Sequence, residues 1–170
     1  MIPDRINPSP RAYSRNRLPL FLLGGLFLSI LTLTSCSSKS MAGSNAAVRE
    51  VVLKHVEQIN AGSPQGILDL FTDDAVVMAP YAPARVGKEA IRASVGDTYN
   101  RIRFDMSINI AEIIVAGDWA FVRSDVTGTL SHKVTGDSIL DVGKAIHFLH
   151  RQSDGKWKIA RYMLNSSTPL

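Results

Sequence analysis

The sequence predicts an α+β domain in which helices come first and a sheet of antiparallel strands follows. Apolar residues recur at helical spacing between residues 48 and 99, and they alternate with polar residues from Ile102 onward. These two periods are those of amphipathic helices and of half-buried strands. Helices followed by a meander of strands are typical of α+β folds, in which the helices pack against one sheet.

Three helices are predicted in the first half of the domain. The first begins after a possible N-cap at Ser44 or Asn45 and ends at residues 60–62, where Gly suits the left-handed conformation that closes a helix. A short second helix opens at residues 63–64, because Pro is tolerated in the first turn, and a third spans 88–99. The apolar stripe of the first helix consists of Val48, Val51, Val52, Val56 and Ile59, and His55 falls on the same stripe.

Strands occupy most of the remaining sequence. A short strand at 75–78 is followed by a Pro-rich loop at 79–85, and four long strands span 102–115, 119–132, 139–152 and 156–164. In the first long strand the apolar phase changes after Ala111, which predicts a β-bulge and a bend in the sheet. In the last strand, simple alternation puts Trp157, Ile159, Arg161 and Met163 on one face and Lys158, Ala160, Tyr162 and Leu164 on the other.

The first 35 residues predict a secretory signal peptide that is separate from the fold. Four arginines precede an uncharged run of 17 residues, Leu18 to Thr34, and small residues follow it. A basic start, an apolar middle and a small-residue end are the parts of a signal peptide. An uncleaved membrane anchor is the alternative, because 17 residues is close to the shortest helix that spans a bilayer.

The single cysteine, Cys36, stands directly after this run in the sequence Leu33-Thr34-Ser35-Cys36. This tetrapeptide resembles the lipobox of bacterial lipoproteins, in which the cysteine is lipidated and becomes the first residue of the mature chain. The resemblance implies membrane attachment through Cys36 in the bacterial cell envelope, on the outer membrane facing the periplasm in a Gram-negative host. A single cysteine also excludes a disulfide framework.

Without the leader, the chain has almost no net charge. It keeps 15 basic and 14 acidic residues, whereas the full 170 residues carry a net charge of +4. No basic patch is left to bind nucleic acid, so no nucleic-acid partner is predicted. Residues 36–46 are small and polar and predict a flexible tether, and residues 47–167 suffice for one domain with its own core.

Four stretches, in this order, resemble the nuclear transport factor 2-like superfamily, in particular its SnoaL-like and ketosteroid isomerase-like bacterial branches. They are HVEQINAGSPQGILDLFTDDAVVMAP, VGKEAIRASV, GDWAFVRSD and DGKWKIARYMLN. The resemblance implies a cone-like roll, in which a strongly curved, mainly antiparallel sheet wraps around three N-terminal helices and leaves a pocket. It also implies a homodimer through the outer face of the sheet. This superfamily hosts enzymes, binding proteins and assembly modules, so the function must be argued from the pocket.

Ketosteroid isomerase provides the most informative comparison within that superfamily. Its chemistry requires a carboxylate base and two hydrogen-bond donors for an oxyanion. The resemblance assigns the helix-one donor to His55, the base to Ala79 and the second donor approximately to His147. Alanine cannot accept a proton, so we expect no ketosteroid isomerase chemistry by that mechanism.

Further pocket residues are expected on the strand that begins at Trp119. The resemblance places one face of this strand toward the pocket, namely Phe121, Arg123, Asp125 and Thr127. Arg123 and Asp125 are two residues apart, so they could form an ion pair that anchors a polar ligand group, with Asp125 as a possible base. The alternative is a solvated face or a structural ion pair.

Three other side chains are candidates for ligand contacts. Tyr81, in the loop over the pocket mouth, and Tyr162, on the last strand, each offer a hydroxyl to an otherwise apolar wall, although packing is an equal alternative. His55 is either a ligand-facing residue or a core histidine. His147 and His150 face opposite sides of a strand, so they do not form a metal site together. His147 could meet His55 across the pocket, but two histidines without a third ligand nearby in sequence do not predict a metal site, and no cofactor motif is present.

Two classes of function follow from these observations. The first is an envelope-anchored binding protein for a small, partly apolar molecule, which the missing base at Ala79 favours. The second is an isomerase, cyclase or dehydratase that uses His147 or Asp125 as a general acid-base. A dimerising interaction module with a vestigial pocket is a third, weaker alternative.

Overall fold

The computed structural model describes residues 35–167, with side chains from Ala42 onward. The helices are α1 (Ser35–Asn60), α2 (Pro64–Asp69) and α3 (Lys88–Arg101). The strands are β1 (Phe71–Met78), β2 (Arg85–Val86), β3 (Ile102–Ala116), β4 (Trp119–His132), β5 (Ser138–Arg151) and β6 (Trp157–Ser166). The predicted α+β class is confirmed. Residues 1–34 of the predicted signal peptide and the side chain of Cys36 lie outside the described residues.

The junction between the first two helices follows from its local sequence, as predicted. α1 ends at Asn60, and Gly62 adopts a φ of +60°, a value that residues with a Cβ rarely reach. Ser63 then caps α2, because its Oγ accepts a hydrogen bond from the Gly66 N–H at 3.2 Å. Pro64 occupies the first turn, where its missing N–H costs nothing.

The start of α1 differs from the prediction. The helix begins at Ser35, so residues 36–46 are helical instead of forming the predicted flexible tether. The expected N-cap residues, Ser44 and Asn45, therefore lie inside the helix. Ala42, Ala46 and Ala47 have the highest helix propensity of any residue type, and extending an existing helix is much easier than nucleating one.

The six strands form one sheet in the order β2-β1-β6-β5-β4-β3. All neighbouring strands are antiparallel except β1 and β6, which run parallel. The meander from β3 to β6 was predicted from the alternation of apolar and polar residues in four successive segments. The pairing of β1 with β6 was not predicted, because β6 lies far along the chain from β1. The strand β2 was not predicted either, because two residues are too short to show a period.

Three features bend the sheet over the helices. β3 has a bulge at Ala111, as the change of apolar phase predicted. Gly128 on β4 and Gly143 on β5 each lie very close to a neighbouring strand: a Cβ at these positions would overlap the carbonyl oxygens of Asp105 and Asn165, respectively. Only glycine permits such an approach, so the sheet curves strongly and its inner face is concave.

A further bulge, at Ala160, decides which side chains of β6 face inward. The register between β5 and β6 shifts by one residue there. Trp157 is buried in the core before the bulge, and Tyr162 and Leu164 face the same side of the sheet after it. The predicted unbroken alternation through β6 is therefore wrong, because one inserted residue exchanges the two faces of a strand.

The core lies between the inner face of the sheet and the three helices. Its fully buried members include Val48, Val52, Leu68, Phe71, Ile91, Val122, Leu149 and Ile159. The apolar stripe predicted for α1 thus packs against β4, β5 and β6. Within residues 35–167, no helix combines the length and the apolar character needed to cross a membrane.

Candidate functional site

A cavity of about 220 Å³ lies between α1, α3 and the inner face of the sheet. Its apolar lining comprises Val56, Ile59, Ile67, Phe71, Val77, Ala79, Ile91, Val95, Phe104, Met106, Ile108, Val126, Leu130 and Leu164. The polar lining comprises His55, Arg85, Ser94, Thr98, Tyr99, Asp141, His147 and Tyr162. Sites for drug-sized ligands typically measure roughly 300–1,000 Å³, so this cavity suits a smaller molecule.

Two histidines from opposite walls meet at the cavity. His55 lies on the stripe of α1 that faces the sheet, and His147 lies on the inner face of β5 between Ala145 and Leu149. The Nδ1 of His55 is 3.3 Å from the Nε2 of His147, so the two rings share one hydrogen bond. Their side chains are only 3% and 1% exposed, respectively.

Burial keeps both histidines uncharged at neutral pH. Removal from water disfavours the imidazolium form, which lowers the pKa of His55 from 6.5 to about 4. Burial also lowers the pKa of His147 well below 6.5, and the neighbouring His55 lowers it further because two positive rings would repel each other. The pair therefore offers hydrogen-bonding nitrogens without a charge.

Tyr162 of β6 completes this group. It is the cross-strand partner of His147, with ring centroids 4.7 Å apart, and it meets His55 edge to face at 5.0 Å. Burial raises the pKa of Tyr162 well above its ordinary value, and the nearby Asp141 carboxylate raises it further. The phenol therefore stays protonated and presents a neutral hydroxyl.

Asp141 is a cavity residue that the sequence analysis missed. It lies on the inner face of β5, and its Oδ1 accepts a hydrogen bond from the Ser166 hydroxyl at 2.7 Å. Asp141 lies six residues before His147 on the same strand, and residues an even number apart share one face of a strand. The alternation of β5 therefore already placed Asp141 on the same face as His147. Arg85 was also missed, because the short strand β2 that carries it was not predicted.

The outward orientation of Arg123 and Asp125 corrects a prediction. β4 directs Ala120, Val122, Ser124 and Val126 into the core, and the alternate residues, including Arg123 and Asp125, are exposed on the outer face. Arg123 pairs with Glu112 of β3 at 3.4 Å, and Asp125 lines no part of the cavity. The prediction that these two residues line the pocket is wrong, because the apolar alternate set of β4 packs against the helices and leaves the charged set in water.

Tyr81 is not among the residues that line the cavity. Its side chain is 70% exposed, and its backbone adopts a φ of +57°. Ala79 and Arg85, at either end of the same loop, do line the cavity. The loop thus borders the cavity as predicted, but the Tyr81 side chain stands in solvent.

The three positions taken from ketosteroid isomerase all line the cavity. They are His55, Ala79 and His147. Ala79 provides no proton acceptor, and the carboxylate of Asp141 enters from a different strand. Within the residues whose side chains are described, no group of three or more His, Cys, Asp or Glu side chains is placed to hold a metal ion.

Solved structures share this fold. A ketosteroid isomerase-like protein from Erwinia carotovora atroseptica SCRI1043 superimposes with a TM-score of 0.71 and 29% identity, over 74% of this chain and 97% of its own. A nuclear transport factor 2-like superfamily protein from Salmonella enterica serovar Typhimurium LT2 has a TM-score of 0.67 and 15% identity, over 76% of this chain and 94% of its own. A hexachlorocyclohexane dehydrochlorinase, LinA type 2, has a TM-score of 0.67 and 17% identity, over 78% of this chain and 93% of its own. The last two likenesses establish the fold alone.

Comparison of the sequence with other sequences identifies the family. No curated protein sequence matches the chain. The family model for the SnoaL-like domain matches residues 52–160, which include α2, α3 and strands β1 to β5 completely. Together with the α+β architecture, the curved six-stranded sheet and the cavity enclosed beneath it, this match shows that the chain belongs to the SnoaL-like domain family and has the nuclear transport factor 2-like fold.

Proposed function

We propose that this protein binds a small, neutral, partly apolar molecule in the cavity between α1, α3 and the sheet. The observation that carries the proposal is the hydrogen-bonded, uncharged pair of His55 and His147 in a mostly apolar wall, with Tyr162 beside it. A few convergent polar groups in an apolar concavity are the usual composition of a small-molecule site. A charged ligand group would have to give up its hydration without meeting an opposite charge at this pair.

Native mass spectrometry of the full-length chain, purified in mild detergent, tests the proposal. We expect an additional small mass on the wild-type protein. Ala79→Phe places a ring into the cavity and should reduce the bound fraction about tenfold, because the ligand and the new ring compete for the same space. Ala84→Phe is the matched control, since Ala84 is exposed in the same loop and lines no part of the cavity. Equal occupancy in the two variants would contradict the proposal.

An enzymatic function is the second candidate, and the same histidine pair favours it. A neutral imidazole next to a neutral phenol can act as a general acid-base in an isomerisation, cyclisation or dehydration. Asp125 no longer qualifies for this role because it is exposed on the outer face, whereas His147 and Asp141 line the cavity. The structural neighbours include an enzyme, the dehydrochlorinase, which indicates that this fold supports catalysis.

Incubation of the extracted ligand with fresh protein separates binding from catalysis. Chromatography coupled to mass spectrometry should recover the ligand unchanged if the protein only binds it. The enzyme would be favoured if the wild type converts the ligand and His55→Phe binds the ligand equally well but does not convert it. Conversion that persists in His55→Phe and in His147→Ala would exclude the histidine pair as the acid-base.

The location and assembly of the protein are further parts of this proposal. We place it in the bacterial cell envelope, attached through a lipid on Cys36, on the basis of the Leu33-to-Cys36 motif after the apolar run. We also propose a homodimer formed through the outer face of the sheet. Exposed apolar side chains there support it, among them Ile114 at 51%, Phe148 at 42% and Met163 at 41%.

A further inference from the structure

The hydrogen bond between His55 and His147 involves one nitrogen of each ring. The second nitrogen of each ring takes no part in it. The remaining nitrogen of His147, Nδ1, is sealed from solvent and from the cavity space, and no other described residue forms a hydrogen bond with it. The remaining nitrogen of His55, Nε2, has no hydrogen-bond partner among the described residues either, but it is not one of the sealed atoms. Of the two rings, His55 is therefore the one that has a nitrogen available to contact a ligand.

Only two arrangements of hydrogens fit a neutral pair. In the first, His55 Nδ1–H donates to His147 Nε2, and a neutral His147 must then carry its hydrogen on the sealed Nδ1. In the second, His147 Nε2–H donates to His55 Nδ1, so the sealed Nδ1 carries only a lone pair. A sealed N–H without an acceptor is rarer in proteins than a sealed acceptor without a donor, and this difference favours the second arrangement.

We infer that His147 donates its Nε2–H to His55 Nδ1 and thereby fixes His55 in the tautomer that presents an Nε2–H donor to the ligand. The inference rests on the proposed function of the cavity and specifies its ligand more closely. His147 is a positioning residue, and His55 makes the contact. The ligand should carry a neutral hydrogen-bond acceptor, such as a carbonyl oxygen, an ether oxygen or an aromatic ring nitrogen.

The neighbouring groups are consistent with an acceptor on the ligand. The Tyr162 ring lies beside the pair, and its hydroxyl forms no hydrogen bond with any other described residue, so it offers a second neutral donor. The Asp141 carboxylate accepts a hydrogen bond from Ser166, and among the described residues neither histidine of the pair donates to it. A molecule with only donor groups would leave the His55 N–H without an acceptor, which costs the desolvation of a buried polar group.

Nitrogen-15 NMR of the full-length chain in detergent micelles tests the tautomers without any ligand. The double variant His132→Gln, His150→Gln leaves His55 and His147 as the two histidines, which makes their signals unambiguous. At pH 7.5 we expect both rings to be protonated at Nε2 and unprotonated at Nδ1. Protonation of Nδ1 in either ring would overturn the inference, whatever the cavity binds.

Binding of two matched probes tests the ligand class. Quinoline carries only an acceptor nitrogen, and indole carries only a donor N–H, while both are flat two-ring molecules of similar size. The wild type should bind quinoline about three- to tenfold more tightly than indole, the amount expected for one neutral hydrogen bond. His55→Phe should remove this preference, and His150→Phe, a substitution on the outer side of the same strand as His147, should keep it.

The two measurements separate this inference from the proposed function. If neither probe binds and the Nε2 tautomers are observed, the tautomer assignment stands and the small-molecule function loses its support. If both probes bind and indole is preferred, the cavity is a binding site and the donor assignment of His55 is wrong. An equal affinity for the two probes in the wild type would also contradict the assignment.

Discussion

His55 Nδ1 and His147 Nε2 lie 3.3 Å apart, although 92 residues separate them in the sequence. The contact joins the C-terminal part of α1 to the C-terminal half of β5, so it exists only when the helix packs against the sheet. In the unfolded chain both rings are in water and titrate near 6.5. The folded domain therefore binds fewer protons than the unfolded chain in mild acid.

The first prediction concerns the pH dependence of stability. The folded-state pKa of His55 is lowered to about 4, so the unfolded chain binds more protons between pH 6.5 and pH 4, and the free energy of unfolding should fall as the pH falls through this window. The loss due to His55 alone should reach roughly 3 kcal/mol, since one pKa unit corresponds to about 1.4 kcal/mol, and it should be absent above pH 7.

Urea unfolding at half-unit steps from pH 4.5 to 7.5 measures this effect. His132→Gln is the control, because it removes a histidine that lies outside the buried core and keeps the pair of His55 and His147. A free energy of unfolding that stays level between pH 4.5 and pH 6.5 would show that His55 and His147 are not buried as neutral rings.

The second prediction concerns the ion pair between Arg123 and Glu112. Both side chains are about half exposed, at 52% and 43%, so solvent screens their attraction. Arg123→Ala should change the free energy of unfolding by less than about 1 kcal/mol and leave ligand occupancy in the cavity unchanged. Thermal unfolding and native mass spectrometry measure these two quantities. If Arg123→Ala lowered ligand occupancy while the free energy of unfolding stayed unchanged, Arg123 would be a ligand-binding residue.

The third prediction concerns assembly through the outer face of the sheet. Phe121 and Phe148 are cross-strand neighbours there, with ring centroids 5.4 Å apart and Phe148 42% exposed. Phe148→Glu should convert a dimer into a monomer, because a buried interface would hold an unpaired carboxylate. Light scattering of a fragment that begins at Ser37 measures the mass. Val134→Glu, an equally polar change at an 86% exposed position on the β4–β5 connection, should leave the dimer intact.

The fourth prediction concerns lipid attachment. Wild-type protein expressed in a bacterial host should incorporate a labelled fatty acid and sediment with membranes. Cys36→Ser removes the thiol that would be acylated, so labelling should disappear and the apolar leader should stay uncleaved. Ser38→Cys in the Cys36→Ser background moves the thiol away from the motif and should not restore labelling. An acylated, membrane-bound Cys36→Ser product would rule out the lipobox assignment.

Sequence periodicity determined most of the local structure of the domain. The stripe on α1, the opening of α2 at residues 63–64 and the bulge at Ala111 each depend on residues within one or two turns or on one strand. Burial of one face imposes a period on a helix or a strand, and that period is visible without knowledge of the partner. The α+β class follows from the same local patterns, and the family resemblance supplied the roll, the pocket and the placement of His55 and His147.

Only the tertiary structure decided which strand faces are turned toward the cavity. On β4 both alternate sets are compatible with a strand, and packing against the helices selected the set that excludes Arg123 and Asp125. On β6 a single extra residue, Ala160, put Tyr162 on the same side as Trp157. The register between strands that lie far apart in the chain decides which side chains of a strand point toward the cavity. A shift of one residue exchanges the two sets of side chains. The sequence by itself therefore determined the three helices, the long strands and their order, whereas the hydrogen bond of His55 to His147 and the inward position of Asp141 depend on how those elements pair and pack.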